Sequence, residues 1–182
     1  MVRSGPDPDE SPLRETSGTV SGHPDGRVRV VLADDHTLVR RALRGLVDGC
    51  RDMAVVGEAG TGAEAVEHAR ILQPEVLTID IGMPDLNGLD AIPLIRAQAP
   101  GTGVVVVTGH YGPTDLRRAL RFGASGYITK VDTPELLLLA LRAVARGQHF
   151  LSPRVTHLAV EGCARHEGIA LPLAGTARPP VR

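Results

Sequence analysis

Between residues 28 and 146 the chain alternates, five times over, between a short apolar run and an amphipathic segment of helical period. This repetition constrains the fold more than any single motif. Residues 28–33 read VRVVLA. The run is too short for a buried helix, and its valines suit a strand covered on both faces of a parallel sheet. HTLVRRALRGLVDG follows, with Leu38, Val39, Ala42, Leu43, Leu46 and Val47 on one stripe and arginines opposite. Further strands are expected at MAVVGEA (53–59), VLTI (76–79), GVVVVT (103–108) and GYIT (126–129), and helices at 62–72, 88–98, 114–122 and 133–146. Gly49, Pro74, Pro100, Gly123 and Gly147 punctuate the joints. Pro93 is expected in the first turn of the third helix, where backbone N–H groups have no intrahelical partner. Five strand–helix units of this kind imply an α/β fold, a doubly wound parallel sheet with helices on both faces.

Composition narrows the class. Hydrophobic residues make up 42% of the chain but aromatics only 2%, so the core is built of Val, Leu, Ile and Ala. The net charge of −1 and the lack of a basic block point away from nucleic acid and anionic membranes. No apolar run approaches the roughly 20 residues of a membrane span, and the N-terminus has no signal-peptide core. Cys50 and Cys163 form no metal or redox spacing, which fits a reducing, cytoplasmic setting. Residues 1–26 are rich in Pro, Gly, Ser and Asp and read as a disordered leader. The folded unit is expected over 27–150, with a short helix and a disordered tail over 151–182.

In parallel sheets, ligands bind beyond the carboxyl ends of the strands, where the strand order reverses. The first strand ends at Asp34 and Asp35, the third at Asp80, the fourth at Thr108 and the fifth at Lys130. Lys130 is the only lysine in the chain; every other Lys-or-Arg position is arginine. Lysine is a compact point charge where arginine is a flat fork. An aspartate at a strand end often caps the next helix, and Asp35 could do so. A cap accounts for one carboxylate, not for three beside a solitary ammonium. Three neighbouring carboxylates raise one another's pKa, a conflict that a hard divalent cation such as Mg²⁺ removes. A hydroxyl and an ammonium beside that ion suit a phosphoryl group.

The segments VVLADDHTLVR, TIDIGMPDLNGLDA, VVVVTGH and GASGYITK resemble, in order, the hallmark segments of bacterial response-regulator receiver domains. ADDH, GYITK and the later FLSP resemble the NarL/FixJ (LuxR-type) branch. The resemblance covers residues 28 to about 153 and implies a flavodoxin-like (βα)5 fold with strand order 2-1-3-4-5. It implies that Asp80 accepts a phosphoryl group from a sensor histidine kinase. It assigns Mg²⁺ to Asp34, Asp35, Asp80 and the Gly82 carbonyl, and the phosphoryl oxygens to Thr108 and Lys130. Tyr127 would be the switch aromatic, turning inward as Thr108 moves. The added charge of about −1.5 to −2 would bias a surface built on the fourth helix, fifth strand and fifth helix. That surface, with the nearly all-apolar ELLLLALRAV, is a candidate homodimer face.

Rival motifs fit less of the sequence. Gly60, Gly62 and Ala65 spell the GxGxxA of a dinucleotide site, but on the second strand rather than the first, leaving Asp34, Asp35 and Lys130 unused. A Walker reading fails at Ala63 and Glu64, and GASGY lacks the last glycine of a nucleophile elbow. An aspartate-nucleophile, Mg²⁺-dependent phosphatase would need a second acid two positions after Asp80, where Gly82 stands. The chain is therefore expected to be a stoichiometric phosphoacceptor with slow self-dephosphorylation, not an enzyme. His110 reads first as a surface histidine, although it lies near enough to Thr108 to influence attacking water. His157, Cys163 and His166 lack the fourth ligand of a zinc site. Members of this branch usually carry a C-terminal helix-turn-helix, and the residues after Pro153 show neither two packed helices nor a basic recognition face. DNA binding is accordingly not expected. Two readings stay open: a stand-alone receiver with a protein output, or a LuxR-type transcription regulator that has lost its DNA-binding domain.

Overall fold

The computed structural model describes residues 26–109 and 111–164. The leader (all but Gly26), the tail from residue 165 and His110 lie outside the described residues. The strands are β1 Val28–Ala33, β2 Met53–Ala59, β3 Val76–Ile79, β4 Gly103–Thr108, β5 Gly126–Thr129 and β6 Phe150–Leu151. All pair in parallel, in the order β2-β1-β3-β4-β5-β6. The expected 2-1-3-4-5 order is present, but the sheet has six strands rather than five. A two-residue strand shows no periodicity of its own. Its partner defines it: Phe150 N–H donates to the Ser125 carbonyl and Ser152 N–H to that of Tyr127, both at 3.0 Å.

Successive strand residues point to opposite faces. Val31, Ala33, Leu77, Ile79, Val104, Val106 and Tyr127 enter a core closed by α2 (Gly62–Leu72), α3 (Gly88–Gln98), α4 (Pro113–Phe122) and α6 (Pro153–Ala164). Val30, Leu32, Val76, Val105, Val107 and Ile128 enter a second core beneath α1 (Thr37–Asp48) and α5 (Pro134–Ala145). The stripe on α1 is narrower than its sequence implies. Leu43 and Val47 are buried, but Leu38 is 80% exposed and Ala42 is exposed. Leu38 stands at the helix start, past the strand ends, and lines a groove between α1 and α5.

Local chemistry sets the helix starts. Thr61 caps α2 by accepting from Glu64 N–H, while Glu64 accepts from Gly60 N–H at 2.7 Å. Gly62 is pressed against the loop before α3, where a Cβ would fall 2.0 Å from the Leu86 carbonyl oxygen. The glycines of the GxGxxA segment thus serve capping and close packing. Asn87 accepts from Leu89 N–H and starts α3 at Gly88. That start puts Pro93 past the first turn where it was expected, on the solvent face, so the helix lacks the bond a residue there would donate to the Leu89 carbonyl.

Two predictions follow from this packing. A Cβ on Gly88 would fall 1.8 Å from the Asp80 carbonyl oxygen, whereas one on Gly101 meets nothing within 4 Å. Gly88→Ala should lose about 3 kcal/mol in urea denaturation, and Gly101→Ala should stay within about 0.5 kcal/mol of the parent; equal stabilities would contradict the close approach. Among the described residues, Tyr127 is the largest fully buried side chain and its hydroxyl has no hydrogen-bond partner. Burial, reinforced by the charges of Asp115 and Asp80, raises its pKa above the ordinary 10.0. A group whose folded pKa is raised contributes stability below its unfolded pKa and loses it as pH rises through the folded value. In alkaline titration its tyrosinate absorbance should appear only with unfolding, a delayed phase that Tyr127→Phe removes. Full tyrosinate absorbance in the folded chain would contradict this burial.

Candidate functional site

Strand register assembles the site. Ala33 pairs with Ile79, so the next residues, Asp34 and Asp80, emerge side by side. The Asp80 N–H donates to the Ala33 carbonyl at 2.9 Å. On the other side Thr108 pairs with Thr129, and Lys130 N–H donates to the Thr108 carbonyl at 2.8 Å. Asp34, Asp80 and Thr108 are 1%, 6% and 2% exposed.

The Lys130 ammonium bridges two carboxylates. Its Nζ lies 2.6 Å from Asp80 Oδ2 and 2.7 Å from Asp34 Oδ2. Burial works against its charge, but the two carboxylates outweigh burial and raise its pKa above 10.5. The remaining oxygens are fixed locally: Asp80 Oδ1 accepts from Ile81 N–H at 2.7 Å, and Asp34 Oδ1 from His36 N–H at 2.9 Å. Asp34, not Asp35, therefore takes the backbone N–H at the start of α1. Asp35 is half-buried at the mouth, with Oδ1 2.6 Å from His36 Nδ1. Gly82, Thr108, Gly109, Asp115 and His36 line the same cleft as Asp80 and Lys130.

Ligand atoms of Asp34, Asp35, His36 and Asp80 all lie within 4.8 Å of one another. Asp34 Oδ2 and Asp35 Oδ1 are buried, the first against the Lys130 ammonium and the second against the His36 ring. Three carboxylates against one ammonium leave negative charge uncompensated. This hard-oxygen set fits Mg²⁺, which favours one or two carboxylates plus water and phosphate oxygens. The structure thus brings Asp34, Asp35, Asp80, Gly82, Thr108 and Lys130 to one cleft, with Tyr127 buried one strand position before Ile128 on the α4 side.

Four further residues were not singled out as site residues from the sequence. His36 and Asp115 flank the cleft, Arg40 Nη1 donates to the Asp34 carbonyl, and Gly88 packs against the Asp80 backbone. The ADDH segment and the helical spacing from His36 to Arg40 hinted at two of them. Nothing in the sequence flags Asp115 or the contact of Gly88. Among the described residues, no helix is long and apolar enough to cross a membrane.

Known proteins resemble this chain in sequence and in fold. The transcriptional regulatory protein YxjL of Bacillus subtilis (strain 168) is 38% identical over 67% of this chain and 56% of its own length. The nitrate/nitrite response regulator NarL of Escherichia coli (strain K12) is 35% identical over 70% of this chain and 59% of its own. The chain thus spans a little over half the length of these relatives. A LuxR-family two-component response regulator from Aurantimonas sp. SI85-9A1 superposes with a TM-score of 0.73 at 31% identity, covering 76% of this chain and 99% of that one. The isolated receiver domain of RcsB from Salmonella enterica serovar Typhimurium, solved with phosphomimetic BeF3⁻, gives 0.67 at 27% identity over 72% and 98%. Residues 30–142 match the response regulator receiver domain, and the chain belongs to that family.

Proposed function

We propose that the chain accepts a phosphoryl group on Asp80 from the phosphohistidine of a sensor kinase and thereby switches a protein-interaction surface. The observation that carries this reading is the ammonium of the sole lysine lying within 2.7 Å of carboxylates from two different strands. Asp34, Asp35, Asp80 and the Gly82 carbonyl would hold Mg²⁺, which supplies positive charge against the incoming phosphoryl oxygens. Asp80 presents a desolvated carboxylate at the floor of the cleft. One of its oxygens forms a bond to phosphorus as the phosphorus–nitrogen bond breaks, and the electron pair leaves with the kinase imidazole. Lys130 then exchanges carboxylate partners for a phosphoryl oxygen, and the Thr108 hydroxyl donates to another. Tyr127, on the strand that leads into Lys130, would report the change.

Gly82 stands where a phosphatase of this chemistry would carry its second acid, which supports a stoichiometric acceptor rather than an enzyme. The relatives are named as transcriptional and response regulators, and the chain spans only part of them. Transcription control is therefore the second reading, and a gel shift at low salt tests it. A cytoplasmic location fits a kinase-fed acceptor.

Acetyl phosphate with Mg²⁺ should add one phosphoryl group per chain, read by intact mass. Asp80→Asn or chelation of Mg²⁺ should abolish it. Removing the ammonium by Lys130→Ala should slow it on the order of 100-fold, and Lys130→Arg should not restore it, because a fork cannot replace a point charge there. Undiminished labelling of Asp80→Asn would overturn the proposal.

A further inference from the structure

β6 and α6 lie outside the five strand–helix units that build the cleft, yet they are tied to it. The first tie is backbone pairing. Ser152 N–H donates to the Tyr127 carbonyl at 3.0 Å, so α6 begins one residue beyond a bond to the strand that carries Lys130.

The second tie is a buried carboxylate. Asp132 lies two residues after Lys130, and its side chain is 4% exposed. Its Oδ2 accepts from Thr129 N–H at 2.8 Å and from Thr129 Oγ1 at 2.9 Å. Its Oδ1 lies 3.7 Å from Arg154 Nε in the first turn of α6. The segment that delivers the ammonium to Asp80 therefore also holds the start of α6.

The third tie is packing. Val155 and Ala159, one helical turn apart, are both 0% exposed. They share a core with Leu116 and Ala119 of α4 and with Tyr127, and the half-buried Leu120, Leu151 and Leu158 pack against it. Among its described side chains, 153–159, α6 is seated on these two buried residues, and an outer helix docked in this way can open separately from the central sheet. It lies on α4 and β5, which the sequence marked as part of a switch and dimer face.

We propose that β6 and α6 form a releasable cover over the α4–β5 face, seated when Lys130 grips Asp34 and Asp80 and unseated when a phosphoryl group on Asp80 redirects that lysine. The proposal rests on the phosphoacceptor reading above. Redirecting Lys130 moves the 130–132 segment, and Asp132 with it. Arg154 loses its counter-ion position, and Val155 and Ala159 withdraw from beside Tyr127. The freed strip of α4 and β5 is apolar and is the surface that a partner would read. Adding charge at Asp80 acts on a two-state element, as a switch of this kind requires.

Hydrogen exchange on the full chain tests the cover. The chain is treated with acetyl phosphate and Mg²⁺, and intact mass confirms the modification. Residues 153–159 should then exchange on the order of tenfold faster than in the untreated chain, and Asp80→Asn should show no such change. If mass confirms the modification while exchange over 153–159 is unchanged or slower, the cover is overturned and the phosphoacceptor reading stands. If Asp80 takes no phosphoryl group, both fall. Arg154 is largely exposed, so Arg154→Ala leaves the core intact. It should speed α6 exchange severalfold in the unmodified chain, and unchanged exchange there would overturn the Asp132–Arg154 latch.

Discussion

The Lys130 ammonium, set between Asp34 and Asp80, is the contact on which the rest of the structure's logic depends. A parallel sheet places the ends of neighbouring strands about 5 Å apart. Acidic residues that follow β1 and β3 are therefore forced together whether or not their charges agree. The fold creates the repulsion, and β5 delivers the one amine that relieves it. The compensation is partial, because Asp35 adds a third carboxylate. What remains is an acidic cleft that suits positive charge, and a lysine that, on the proposed reading, would change partners when phosphoryl oxygens arrive.

That partial balance makes the site sensitive to a single added group. The side chains that would respond lie within a few residues of other load points in the fold. Lys130 precedes Asp132, which holds the first turn of α6. Thr108 sits beside Thr129 on the neighbouring strand. Tyr127 is buried between the sheet and the α4–α6 layer, with a hydroxyl that has no partner among the described residues. A phosphoryl charge at Asp80 would thus act on backbone already shared with the outer helices. The distance from chemistry to surface is short because β5 serves both.

Much of this was legible in the sequence because strand ends are legible. Short valine-rich runs fix where each strand stops, and ligands bind beyond those ends, so Asp34, Asp80, Thr108 and Lys130 could be gathered without a structure. What was missed depends on partners rather than on pattern. Phe150–Leu151 is a strand only because β5 offers an edge. Leu38 belongs to an apolar stripe by period but overhangs the sheet. Pro93 sits later in α3 than expected because Asn87, not the proline, sets the helix start. Gly88 looks like an ordinary turn glycine, and only its approach to the Asp80 backbone gives it a role. The GxGxxA segment shows the reverse error: a familiar spacing whose glycines serve a cap and a tight crossing.

The most direct test of the central claim is a crystal structure of the chain with Mg²⁺ and beryllium fluoride. The account predicts the ion among Asp34, Asp35 and Asp80, the beryllium bonded to an Asp80 carboxylate oxygen, and Lys130 Nζ moved from the carboxylates onto a fluorine. A bound fluoride complex with Lys130 turned away from Asp80, or metal held elsewhere, would contradict it.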